Sequence, residues 1–294
     1  MITVASLIYY PIKACRGFEV EETIVERTGL EHDRRMMVST REGHFLTQRD
    51  YPKLALVTAS ISSEKLTLSA PGMDSLTTPI LKSGPTCLVD IWRSKGVPAV
   101  DQGKEAAAWF SDWLEADVRL VHFAEGHTRK INEQYVVNAD DHTGFADAYP
   151  ILLASEESLE DLNARLDWPV SMNRFRPNLV VRGCEPFAED TWSRIRIGEA
   201  RAEPGDALSP PAPVERSGPG SKGRSVEIAV VKPCARCVVT TIDKETLERS
   251  KEPLKTLASY RRQAGGAMFG QNVIPLNEGR LRLGMNVEIL SKRE

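Results

Sequence analysis

The sequence lacks the features that mark secreted, membrane and nucleic-acid-binding proteins. Its N-terminus has neither the basic region nor the small-residue cleavage site of a secretory signal peptide. No apolar run approaches the roughly 20 residues needed to span a bilayer. No run of Lys or Arg accompanies the formal net charge of -3. We therefore expect a cytoplasmic protein with no membrane association and no nucleic-acid partner.

Cysteine and histidine are also scarce, with five of each in the chain. The odd number of scattered cysteines does not suit a disulfide framework and favours a reducing compartment. Only Cys234 and Cys237 lie close together in sequence. Structural zinc usually takes four ligands, often from two such pairs. Because there is no second pair and no histidine follows His142, the spacing gives little support for zinc.

What the sequence does contain is a series of short β-type segments. The chain has 294 residues, of which 41% are hydrophobic and 27% charged, as in an ordinary globular protein of one or two domains. Apolar and β-branched runs broken by turn residues predict strands, among them 4–10, 54–61, 66–70, 118–123, 226–231 and 237–242. Helices are predicted only at 104–116, 155–166 and 250–263. This pattern indicates a mainly β fold with covering helices.

One segment, 203–225, differs from the rest because Pro, Gly and Ser crowd a polar stretch. Such a composition cannot bury enough apolar surface to offset the entropy of ordering, so we expect a mobile loop there. We also expect this loop to lie near the mouth of the functional site and to influence which substrates enter.

The Cys234–Cys237 pair carries most of the chemical information, and three interpretations stay open beside zinc. A redox dithiol should lie at a helix N-terminus, whereas the β-branched residues after Cys237 predict a strand. A single thiolate could ligate a soft metal, with Arg236 lowering the pKa of the thiol. The pair could also be ordinary core packing.

Basic side chains follow or precede three predicted strands, away from any cationic run. Lys13 follows the first strand, Arg34 opens another, and Arg176 lies just before a third. Each alone would be an ordinary solvated turn residue. Together, basic groups at strand ends are how a sheet protein binds a phosphate or an anionic cofactor.

Five blocks of sequence, in order along nearly the whole chain, strongly resemble the MOSC-domain proteins. They are YPIKAC at 10–15, EHDRR at 31–35, FADAYPILLAS at 145–155, NRFRPN at 173–178 and CARCVVTTID at 234–243. The likeness is to the class with an N-terminal β-barrel domain (MOSC_N), which includes mitochondrial amidoxime-reducing components and bacterial YcbX-type proteins. It implies a β-barrel type of fold, with the MOSC_N domain over 1–123 and the MOSC domain over 124–294.

The resemblance also implies a molybdenum cofactor, a pyranopterin whose dithiolene holds the metal together with one protein cysteine. That cysteine corresponds to Cys237, and Asp147 to a residue that could relay protons. The remaining implied cofactor contacts are Lys13, Ala14, Arg34, Ala148, Tyr149, Arg176, Asn178, Ala235 and Arg236. Ala14 stands where the family often has serine, which removes a hydroxyl donor. Cys234 receives no role and is expected to be a buried packing residue.

The activity implied by the resemblance is the reduction of N-hydroxylated small molecules. No cysteine follows Cys237, so we expect electrons from a separate ferredoxin or flavoprotein reductase. Two alternatives stay open. The chain could carry the cofactor or sulfur without turnover, or it could be a binding protein whose cysteine pair only packs.

Overall fold

The computed structural model describes residues 1–198 and 225–293. The loop predicted at 203–225 therefore lies outside the described residues, except for Ser225. The fold is mainly β, as predicted, with strand making up 43% of it. The first strands are β1 (Thr3–Tyr9), β2 (Phe18–Val20), β3 (Glu22–Glu26), β4 (Gly29–Leu30), β5 (Met36–Thr40), β6 (Thr58–Ser62), β7 (Lys65–Ser69), β8 (Leu76–Pro79), β9 (Thr86–Ile91), β10 (Ser94–Asp101) and β11 (Val118–Phe123).

The second half of the chain continues the same pattern of short strands. They are β12 (Arg129–Lys130), β13 (His142–Thr143), β14 (Ile151–Ser155), β15 (Leu179–Arg182), β16 (Trp192–Gly198), β17 (Ser225–Ala235), β18 (Arg262–Gln263), β19 (Gly266–Pro275), β20 (Gly279–Arg282) and β21 (Val287–Lys292). The three α-helices of the described ranges are α1 (Lys104–Leu114), α2 (Glu156–Asn163) and α3 (Leu254–Tyr260). None of these helices is long and apolar enough to cross a membrane.

The largest sheet combines strands from both ends of the chain. Its order is β2-β1-β15-β14-β19-β17-β16-β21, with β18 attached to β19. The first strand pairs antiparallel with β15, and β3 pairs with β20 in a separate three-stranded sheet. The domain boundary predicted between residues 123 and 124 stays a prediction. Strands within residues 3–26 share sheets with strands from the C-terminal half of the chain.

Two core clusters explain why these elements form. Alternating buried residues of the large sheet, such as Leu7, Leu179 and Ile228, pack into the first cluster. The second lies beneath α1, where Phe110 and Leu114 meet the β5–β11 strands. The helix predicted at 104–116 therefore forms with one apolar face on the core. Burial of such side chains is the main favourable term in folding.

Several predicted elements end earlier than expected or take another form. The helices predicted at 104–116, 155–166 and 250–263 are shorter in the structure. The segment predicted as a strand over 54–61 begins instead as a 3-10 turn, Pro52–Leu56, and becomes extended only at Thr58. This strand then pairs antiparallel with β7 in a hairpin. The strand predicted over 237–242 is wrong, for a reason that lies in the candidate site.

Candidate functional site

A cavity that is partly open to solvent lies where several chain segments leave the sheets. Its walls come from the segments that follow β1 and β17 and from those that precede β5, β14 and β15. All the contact residues implied by the resemblance line this cavity except Ala235. The alanine is instead the last residue of β17, where it pairs with Met268 of β19.

Cys237 lies in a turn that begins as β17 ends. The strand finishes at Ala235, and Cys237 then caps a 3-10 turn, Val238–Thr241. Thr240 and Thr241 donate their hydroxyls to the carbonyls of Cys237 and Val238, at 2.9 and 2.8 Å. Such local bonds from threonine hydroxyls compete with sheet pairing, which is why the β-branched run predicted a strand wrongly. As a result the Cys237 side chain is exposed at the cavity.

Cys234 does not pack in the core as expected. It is half-buried and lines the cavity. Arg236 Nη1 donates to its Sγ at 2.9 Å, and the same guanidinium donates through Nη2 to the carbonyl of Phe175 at 2.6 Å. The cavity wall therefore contains two thiols, and the guanidinium of Arg236 contacts the thiol of Cys234.

Tyr10 lies between two of the predicted cationic residues. The guanidinium carbons of Arg34 and Arg176 lie 4.6 and 4.1 Å from the centre of its ring. Burial raises the pKa of Tyr10 to about 12 against the opposing effect of the arginines. Its hydroxyl donates to the carbonyl of Pro177. The Tyr10 ring therefore stays neutral and separates the guanidinium groups of Arg34 and Arg176.

Two of the cavity arginines carry buried N–H groups without a protein acceptor. Arg176 Nη2 and Arg236 Nε have no hydrogen-bond partner among the described residues. By contrast, Arg34 bonds both Asp33 and Asn178, at 2.7 and 2.9 Å. Leaving a buried donor unsatisfied is unfavourable, so these two groups fit an acceptor-rich or anionic ligand.

Asp147, in the cavity wall, is held by a lysine and a tryptophan. Lys13 Nζ forms an ion pair with Asp147 Oδ1 and donates to the carbonyl of Phe145 at 3.0 Å. The indole N–H of Trp92 donates to the same carboxylate oxygen at 2.9 Å. Partial removal from water opposes ionisation, but the charge and hydrogen bonds of Lys13 hold the pKa of Asp147 well below its usual range. Burial lowers the pKa of Lys13.

Four residues of the cavity wall have backbone dihedral angles that L-amino acids seldom adopt. The φ angles of Ala14, Arg34, Trp92 and Arg176 are 69°, 46°, 52° and 57°. Non-glycine residues in this left-handed region store strain, and such strain concentrates at functional sites. Their convergence on one cavity is independent structural support for a site here.

Gln48 and Lys244 join the two turns of the site, and sequence reasoning missed both. Gln48 donates to the carbonyl of Ala14, and Lys244 Nζ donates to Gln48 Oε1 at 2.8 Å and to the carbonyl of Val239 at 2.9 Å. Burial, followed by the charges of nearby arginines, lowers the pKa of Lys244 to about 7. No local pattern pairs residues 196 positions apart, so no sequence signal could have found this link.

Comparison with known proteins matches both halves of the chain to family models. Residues 1–117 match the MOSC N-terminal beta barrel domain, and residues 140–288 match the MOSC domain. The first range contains the sequence blocks at 10–15 and 31–35, and the second contains those at 145–155, 173–178 and 234–243.

Curated relatives align over most of the chain. Mitochondrial amidoxime-reducing component 1 of Mus musculus is 35% identical over 99% of this chain and 83% of its own length. Mitochondrial amidoxime reducing component 2 of Rattus norvegicus is 39% identical over 88% and 72%, respectively. The human component 1 is 34% identical over 99% and 83%. The chain therefore belongs to the MOSC-domain family, in the class with an N-terminal MOSC β-barrel domain that includes the mitochondrial amidoxime-reducing components.

Proposed function

We propose that this protein reduces N-hydroxylated compounds with a molybdenum cofactor held in the cavity, the thiolate of Cys237 ligating the metal. The relatives' names, amidoxime-reducing components, support the reaction class. The observation that carries the proposal is the exposed thiol of Cys237 in the same cavity as the two unsatisfied arginine N–H groups. A soft thiolate suits a redox-active metal, and the arginines suit an anionic organic group.

The charge of the cavity fits such a cofactor. Among its lining residues, six side chains are cationic and one, that of Asp147, is a carboxylate. The cations are Lys13, Arg34, Arg49, Arg174, Arg176 and Arg236. Within the described ranges, no three His, Cys, Asp or Glu side chains come together to hold a metal ion. A metal at Cys237 would therefore take its other ligands from the cofactor.

The reaction consumes two electrons and two protons, converting N–OH into N–H and water. When bound, the molybdenum centre supplies the electron pair for cleavage of the N–O bond. The protein's part is to bind the substrate and provide protons. Lys13, whose pKa burial lowers, holds a proton next to Asp147, while the ionised carboxylate accepts an N–H from the substrate. Asp147 would orient the substrate while Lys13 donates one proton, and the second proton would come from solvent through the open side of the cavity.

Substitution of Cys237 tests the proposal directly. Protein made in a host that synthesises the cofactor should contain molybdenum and should reduce benzamidoxime with a reduced viologen dye as electron donor. Cys237→Ala should lose both. Cys87→Ala is the matched control, because Cys87 is half-buried but does not line the cavity.

The possible results separate the function from its alternatives. Wild-type protein without molybdenum, or full activity in Cys237→Ala, would refute the proposal. Molybdenum bound at Cys237 without any viologen-driven reduction would identify a cofactor carrier instead. A separate ferredoxin or flavoprotein reductase as physiological donor is part of the proposal, and turnover of purified protein with NADH alone would contradict it. The cytoplasmic location stays a prediction.

A further inference from the structure

Trp92 occupies a backbone position that does not suit a large side chain. Ile91 of β9 pairs with Ser94 of β10, so Trp92 and Arg93 form a two-residue hairpin loop. Positions of positive φ in such loops strongly favour Gly, Asn or Asp. Trp92 has a φ of 52°. A bulky residue that persists there is a sign that its side chain is needed for something other than the turn.

The indole ring is presented to the cavity rather than buried in the hairpin. Trp92 lines the cavity and is 41% exposed. The ring of Phe45 meets it edge-on, with centroids 4.9 Å apart. The guanidinium of Arg49 lies 5.0 Å from the indole centroid, and the indole N–H is fixed on Asp147. The ring is therefore held in a defined orientation with free surface remaining.

We propose that Trp92 is a specificity-determining residue that selects N-hydroxylated substrates with a flat aromatic or heteroaromatic body over aliphatic ones. The inference rests on the proposed reductase function in so far as these ligands are substrates. The preference for binding aromatic ligands does not depend on that function. A flat π-system packs on the exposed part of the indole, next to the planar guanidinium of Arg49.

The same ring places the reacting end of the ligand. Asp147 receives the indole N–H of Trp92 and the Lys13 ammonium on one oxygen, Oδ1. Its side chain is 72% exposed, so the other oxygen is open to an N–H of an amidoxime or an N-hydroxylated aminoheterocycle. An aliphatic substrate donates its N–H to Asp147 but has no ring to pack on the indole of Trp92. The aromatic body therefore adds affinity only when Trp92 is present.

The test compares the binding of benzamidoxime and acetamidoxime to cofactor-loaded protein without an electron donor, by isothermal titration calorimetry. Four proteins are needed: wild type, Trp92→Phe, Trp92→Asn and Trp168→Ala. Asn suits a positive φ, so Trp92→Asn removes the ring without straining the loop. Trp168 is the matched control, because it is 84% exposed and does not line the cavity.

Wild type should bind benzamidoxime about tenfold more tightly than acetamidoxime. Trp92→Phe and Trp168→Ala should keep most of that ratio, and Trp92→Asn should bring it close to one by weakening benzamidoxime more than acetamidoxime. In turnover with viologen, Trp92→Asn should raise KM for benzamidoxime more than KM for acetamidoxime. An unchanged binding ratio in Trp92→Asn, or no preference in wild type, would overturn the inference. Binding that depends on Trp92 in a protein that reduces neither compound would refute the reductase function alone.

Discussion

At the scale of single residues, the arginines of the cavity differ in whether their hydrogen bonds are complete. Arg174 forms an ion pair with Asp243 at 2.7 Å and also donates to the carbonyl of Thr240. Arg236 keeps a buried Nε without an acceptor among the described residues. We therefore predict that Arg236→Gln weakens cofactor retention by roughly 10- to 100-fold, since a hydrogen bond to a charged group contributes about 1.5–3 kcal/mol.

The measurement is the molybdenum and pterin content of purified protein after dialysis. Arg174→Gln is the control, because it removes a cavity cation whose charge is already paired. It should change cofactor retention much less. Equal losses in the two variants would mean that the overall charge of the cavity matters rather than the unsatisfied N–H.

The residues predicted from sequence were those that stand within short recognisable blocks. Lys13, Arg34 and Arg176 lie in such blocks, and the structure brings them to one cavity. Trp92 and Lys244 lie outside the blocks, and what makes them part of the site is contact across sheets. A side chain's partner across the fold leaves no mark in the local sequence, so these residues required the structure.

At the scale of elements, the turn Val238–Thr241 depends on a buried lysine. Lys244 Nζ donates hydrogen bonds to Gln48 Oε1 and to the carbonyl of Val239. Burial lowers the pKa of Lys244 from 10.5 to about 7. Between these two values the unfolded chain binds more protons at this residue than the folded one. The free energy of unfolding therefore falls as the pH is lowered from about 10 towards 7.

We predict that Lys244→Met removes this contribution to the pH dependence. The slope of the free energy of unfolding against pH should decrease, by at most about 1.4 kcal/mol per pH unit. Urea titrations between pH 7 and 10 measure it, with Lys255→Met, an exposed lysine of α3, as the baseline. If both variants have the same slope of unfolding free energy against pH as wild type, then Lys244 is charged in the folded protein and the prediction is wrong.

Element prediction from sequence worked where one physical effect dominated. The apolar stripe of α1 reflects burial on one face, and the apolar residues of 118–123 are buried on both faces of their strand. Both elements formed. The prediction of a strand over 237–242 failed because the hydroxyls of Thr240 and Thr241 stabilise a turn. β-Propensity alone does not reveal such bonds. The long strand β19 was missed, since its glycines and amides hide a central position in the sheet.

At the scale of the whole molecule, the N-terminal strands are structural parts of the sheet that carries Cys234. The first strand lies between β2 and β15, and β3 pairs with β20. We predict that a protein beginning at residue 31 loses its cooperative thermal transition, measured by circular dichroism, because two sheets lose interior strands. Adding a synthetic peptide of residues 1–30 should restore the transition, and a scrambled peptide should not. A sharp transition in the truncated protein alone would contradict this.

The shared sheet also bears on how such a chain can change over generations. A recombination event that joins the first half of one gene to the second half of another exchanges β1 together with that half. The incoming strand must then fit a neighbour, β15, with which it was never selected. The two halves of this protein are therefore expected to be inherited together, and gene fusions should add modules at its ends rather than between its halves.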